Sequence, residues 1–182
     1  MPVNQDYHDT LFPYSELYNT NQEAEEMAAA SGITKVFLAF PSSQLHHRPG
    51  EPVIIYRIYA GETGKTYKSV ATSYCSLTKV IPININNLHK LSEIEFLELS
   101  ANKTVFSREQ LQDFYLTKKN LILLEMVYNG FFGKGNNINH KTLSESGFFQ
   151  GHPYNIQLAP ENIDTILKLG GKNATDIIAN KS

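Results

Sequence analysis

Two neighbouring apolar stretches hold the residues best suited to chemistry. Tyr56, Arg57 and Tyr59 lie in PVIIYRIYA (52–60), and Tyr67, Lys68, Ser73 and Tyr74 lie in KTYKSVATSYCSLTKVI (65–81). Tyrosine rings can stack a flat heterocycle, while arginine, lysine and serine can bond its polar edge or a phosphate. If 52–60 is extended, alternation sets Val53, Ile55, Arg57 and Tyr59 on one face and Ile54, Tyr56 and Ile58 on the other. Arg57 is then a charge among apolar neighbours, and burying it unpartnered is costly. A carboxylate, a cluster of carbonyls or a ligand has to meet it. The same alternation forbids all seven side chains from facing one pocket. Set against the binding reading is a tyrosine-rich sheet whose arginine reaches solvent or pairs with an acid.

Other chemistries find less support. A structural zinc site needs closely spaced Cys and His ligands. His46 and His47 are adjacent and point apart in an extended segment, the other histidines are isolated, and Cys75 has no cysteine partner. Cys75 sits mid-strand with no base nearby in sequence and reads as a small buried residue. Ser73 lacks the Gly-x-Ser-x-Gly setting of a nucleophile elbow. Gly61-Glu62-Thr63-Gly64-Lys65-Thr66 ends like a phosphate-binding loop, but it lacks the first glycine at the required spacing and joins two strands. His46-His47-Arg48 reads as a solvated loop. No catalytic residue, metal or cofactor is predicted.

The chain has 182 residues, 41% hydrophobic and 19% charged, the balance of a globular protein. Its net charge of −2 means that any contact with nucleic acid must use a local patch. No apolar run is long enough to span a bilayer, and the polar start, Met1 to Thr10, has no signal-peptide core. A single cysteine fits a cytoplasmic setting.

These residues need a sheet to position them. Strands are predicted over 33–40, 52–60, 66–80, 120–128 and 153–158, the second and third joined by a glycine hairpin and the third bent near Ser73. Helices are predicted over 22–31, 86–100, 107–116, 140–146 and from Pro160 to Gly170. Residues 1–20 read as an ordered arm anchored by Leu11 and Phe12, 129–139 as a loop, and 172–182 as a frayed tail. The order favours an α+β fold, a mixed or antiparallel sheet curled into a small barrel with helices outside. One domain is expected: arm and helix over 1–32, barrel over 33–171, then the tail.

The run HRPGEPVIIYRIY, the glycine hairpin and YKSVATSYCSLTKVI resemble the PUA-like superfamily, especially its EVE and ASCH branches. Gly50-Glu51 stands where that family has Gly-Asp, and Ile55-Tyr56-Arg57 where it has its aromatic pocket strand. The likeness covers roughly 33–81 well and the later strands loosely. With Tyr7-His8-Asp9-Thr10-Leu11-Phe12-Pro13, the chain looks like the PUA-like domains joined to GNAT acetyltransferases in bacterial proteins. The resemblance implies a PUA-like barrel that binds RNA, DNA or a modified nucleobase, the accessory domain of an acetyltransferase. Arg57 would make the polar contact, Tyr56, Tyr59, Tyr67 or Tyr74 would stack, and Ser73 and Lys68 would bond the base edge or phosphate. The alternative is a protein-interaction or regulatory domain for such an enzyme, marked by an exposed apolar patch instead of a basic rim.

Overall fold

A computed structural model describes residues 1–12, 34–42, 47–101, 103–153, 156–173 and 175. The predicted helix over 22–31 and most of the tail lie outside the described residues. Among those described, the strands are β1 (Pro2–Asn4), β2 (Thr34–Ala39), β3 (Pro52–Ile58), β4 (Val70–Ile85), β5 (Leu88–His89), β6 (Leu121–Phe131) and β7 (Ile138–Asn139). The helices are α1 (Gln5–Leu11), α2 (Lys65–Lys68), α3 (Glu93–Ser100), α4 (Arg108–Thr117), α5 (His140–Glu145) and α6 (Pro160–Leu169). The fold is α+β with a mixed sheet in the order β1-β3-β4-β6-β2, while β5 and β7 pair with β4. β1 runs parallel to β3, whereas β2 with β6 and β3 with β4 are antiparallel.

The chain divides into two compact units, each built from separate stretches. The first comprises 1–33, 52–76 and 128–179, and the second 34–51, 77–127 and 180–182. Each has its own core. In the first, Ile54, Tyr56, Tyr74, Phe132 and Leu143 pack with Ile163, Ile166 and Leu167 of α6. In the second, Val36, Leu38, Ile83 and Leu123 pack with Phe96 of α3 and Leu111 and Tyr115 of α4. Alternation in β3 holds, since Ile54 and Tyr56 enter the first core while Arg57 turns away from it.

Several boundaries differ from expectation, each for a local reason. The arm is a short strand followed by α1, with Leu11 and Phe12 buried as anchors. β4 starts at Val70, because Gly64 at φ +80 opens a helical turn over Lys65–Lys68 that the alternating sequence disguises as strand. The bend near Ser73 is a bulge: Ile55 pairs Ser73, the next residue Tyr56 pairs Ala71, and Thr72 is the extra residue. Only 93–100 of the predicted helix over 86–100 is helical. Asn86 and Asn87, both at positive φ, make a tight turn into β5, and Ser92 caps α3 with Glu95 reciprocating. β6 runs on to Phe131, beyond the predicted end at 128. Residues 156–158 form no strand. The Ser107–Gln110 capping box and the Pro160 helix start are as the sequence reads.

Candidate nucleic-acid interface

The seven candidate side chains separate into three environments, all in the first unit. One is a surface made by α2, the end of β3 and α5. Ser69, directly after α2, ties these pieces together. Its N–H donates to the Lys65 carbonyl (2.9 Å), its Oγ accepts from the Tyr59 N–H (3.0 Å), and its carbonyl accepts from the His140 N–H (3.0 Å). Asn139 caps α5 by accepting from the Thr142 N–H (2.9 Å). The result holds Tyr67 outward, 61% exposed, with Lys141 Nζ 5.7 Å from the centre of its ring. Lys68 Nζ sits 4.7 Å from the centre of the Tyr59 ring and 3.3 Å from its hydroxyl. The Tyr59 ring also lies against Gly61, where any Cβ would collide with it. Among the described residues no carboxylate lies within 4 Å of Lys65 or Lys68, whereas Lys141 has a loose i,i+4 partner in Glu145 (3.7 Å).

Beneath that surface Tyr56 is buried, its hydroxyl 2.9 Å from Nδ1 of His140, and Phe149 meets both rings edge-on. His140 Nε2 lies 3.4 Å from Ser144 Oγ, a long contact. Burial pushes the Tyr56 phenol up, so it stays protonated as a hydrogen-bonding support and cannot act as a base.

Arg57 belongs to a different environment. Its Nε and Nη2 donate to the two carboxylate oxygens of Asp9 at 2.7 and 2.8 Å, a bidentate pair. His8 lies 2.8 Å from Asp9 through Nδ1 and 2.7 Å from Thr72 Oγ1 through Nε2. The bulge that makes Thr72 an extra residue also aims it at this histidine. Burial pushes the His8 imidazole down, with Asp9 opposing. Burial acts to raise the Asp9 carboxyl, but hydrogen bonds from Arg57 and His8 prevail and hold it well below the usual carboxylate range. This network clips α1 to β3 and β4. Among the three partners foreseen for Arg57, the carboxylate is the one present, taking its Nε and Nη2 donors.

Ser73 and Tyr74 form the third environment, inside the protein. Ser73 is fully buried, with its hydroxyl 3.4 Å from Thr72 Oγ1. Tyr74 packs against Phe132 and into the space left by Gly130, where a Cβ would lie 2.5 Å from its hydroxyl. The structure thus gathers Tyr59, Tyr67 and Lys68 at one surface, with Tyr56 below, and does not bring Arg57, Ser73 or Tyr74 to it.

The chain is similar in fold to an ASCH protein. The match is the crystal structure of a mutant of ZmASCH from Zymomonas mobilis, at 14% identity over 81% of this chain and 92% of that one, with a TM-score of 0.47. No family model matches the sequence, and no curated protein matches it.

Reading the sequence alone misses His140 and Lys141. They stand in a short helix more than 60 residues from α2, and only pairing of β7 with the start of β4 brings them beside it. It also misses His8 and Asp9 as the partners of Thr72 and Arg57, although the parallel β1–β3 pairing places α1 there. Among the described residues no group of three or more His, Cys, Asp or Glu is arranged to hold a metal ion.

Proposed function

We propose that the chain is a non-catalytic module that binds single-stranded RNA or DNA, or a modified base within it, through the surface of Tyr67, Lys65, Lys68 and Lys141. The observation that carries this reading is the exposed Tyr67 ring, held on a helical turn with ammonium groups on either side in sequence and Lys141 over it. A base stacks on such a ring whatever its identity, and lysines follow the backbone phosphates. A duplex hides its base faces, so the surface favours single strands. Under this proposal the module would present nucleic acid to a GNAT acetyltransferase, the companion that the sequence resemblance implies.

The test is fluorescence anisotropy with labelled twelve-nucleotide single-stranded RNA and DNA and the matching duplexes. The wild type should bind single strands at low salt. Tyr67→Ala should weaken binding by about 1–3 kcal/mol, the scale of one stacked base, with an unchanged melting temperature because the ring is exposed. Binding that is indifferent to Tyr67→Ala and to Lys68→Ala would overturn the reading, as would a wild type that binds none of the four probes.

A further inference from the structure

Lys68 is exposed, yet its side chain is held at both ends. Its stem passes over Gly64, where a Cβ would lie 3.4 Å from Cε and 3.5 Å from Cδ. Its Nζ donates to the Tyr59 hydroxyl (3.3 Å) and stands nearer to that oxygen than to the ring centre, 4.7 Å away. The Tyr59 residue is fixed in turn. Its backbone N–H donates to Ser69 Oγ (3.0 Å), and the next N–H, of Ala60, donates to Gln5 Oε1 (3.2 Å). The ring fills the space that a side chain at residue 61 would need: a Cβ on Gly61 would lie 2.5 Å from the Tyr59 Cζ and hydroxyl oxygen. Gly61 is not at positive φ, so the ring, and not the backbone, is what calls for glycine there. Lys65 opens the same helical turn, and among the described residues its side chain has no hydrogen bond, ion pair or ring contact.

We propose that Tyr59 is a positioning residue for the nucleic-acid contact: it holds the Lys68 ammonium in place as a phosphate ligand and does not itself stack a base. The proposal rests on the Tyr67 surface being the binding site. An ammonium has three N–H donors, and the Tyr59 hydroxyl takes one, which leaves two for phosphate oxygens. A lysine side chain is rich in rotamers, and one that is free in the unbound protein has to be ordered when it meets a phosphate. Lys68 is ordered beforehand, so its contact forms without that cost, while Lys65 has to bear it. The Tyr59 ring is half-buried, with Gly61 against it and Lys68 at its hydroxyl, whereas Tyr67 stands out at 61% exposure. One ring is placed to stack, the other to hold an ammonium.

Two measurements test it, one of them without nucleic acid. Carbon-13 relaxation at lysine Cε should show Lys68 more ordered than Lys65 in the wild type, and as mobile as Lys65 in Tyr59→Phe, which keeps the ring and loses the hydroxyl. Gly61→Ala, whose Cβ would displace the Tyr59 ring, should free Lys68 in the same way. With labelled twelve-nucleotide single-stranded RNA, Tyr59→Phe should weaken binding about two- to tenfold, the scale of ordering one long side chain. The melting temperature and the salt slope should not change, because the phosphate contact is still made. In a Lys68→Ala background the same substitution should change nothing. Lys68 as mobile as Lys65 in the wild type would overturn the proposal and leave the Tyr67 reading standing, as would undiminished affinity in Tyr59→Phe. So would a loss on Tyr59→Phe that persists at full size beside Lys68→Ala, the mark of a ring that meets the nucleic acid itself. A wild type that binds no oligonucleotide would overturn both.

Discussion

Arg57 shows how the fate of a residue depends on its partner. In sequence it is the one charge in an apolar strand, and three kinds of group could answer it. Asp9 answers it, from a helix 48 residues upstream that no local pattern in β3 announces. Arg57→Ala should therefore act on stability. Removing one member of a fully buried pair costs roughly 3–5 kcal/mol, but the Asp9 side chain is 37% exposed and water screens what is left, so the loss should be about 1–3 kcal/mol. Denaturant melts would measure it, and affinity for single strands should hold at temperatures where the variant is folded. The neighbouring His8 sets a pH dependence. Its folded pKa lies below its ordinary 6.5, so on acidification the unfolded chain takes up a proton that the folded chain refuses. Stability should begin to fall as pH drops through about 6.5. Asp9 adds a second loss from about pH 4 downward, since its folded pKa lies below its ordinary 3.8. Melting temperatures between pH 8 and 5 should fall in the wild type and fall less in His8→Gln. An unchanged slope in that variant would mean that other groups control the acid limb.

At the scale of elements, the strands with strong apolar patterns were legible: β2, β3 and β6 start within one residue of where the sequence puts them, because burial of one or both faces leaves a clear mark. The Ser107 and Pro160 helix starts were legible for the same kind of reason, since caps are local chemistry. The elements that build the candidate interface were not. α2 is four residues long and too short to show a helical period, and what creates it is the left-handed Gly64. Gly64→Ala keeps the side chain small but places a Cβ where L-residues resist, costing about 1 kcal/mol. It should also move Tyr67, and so weaken nucleic-acid binding beyond what the stability loss explains. Conserved affinity would show that the turn does not position the ring. The α4 cap gives a contrast: Ser107→Ala should cost about 1 kcal/mol in denaturant melts through the lost bond to the Gln110 N–H, with no effect on binding.

Over the whole molecule, charge is the quantity that decides between modes of binding. A net charge of −2 cannot attract a polyanion from all sides, so the proposed binding would have to come from a few lysines acting where the acidic residues are not. Lys141 Nζ stands by the Tyr67 ring, Lys68 Nζ over the neighbouring Tyr59 ring, and Lys65 opens the same helical turn; a single strand that contacts all three would release about 0.7 counterion per phosphate. The logarithm of the affinity should therefore fall against the logarithm of salt concentration with a slope of about −2, far shallower than for a protein that wraps a duplex. Titrations at 50, 100 and 200 mM salt would measure it. Lys68→Ala should bring the slope closer to zero by about 0.7, whereas Tyr67→Ala should lower affinity equally at every salt concentration and leave the slope alone, because stacking releases no ions. A wild-type slope several times steeper would require many more phosphate contacts than this surface offers, and would move the binding site elsewhere on the chain.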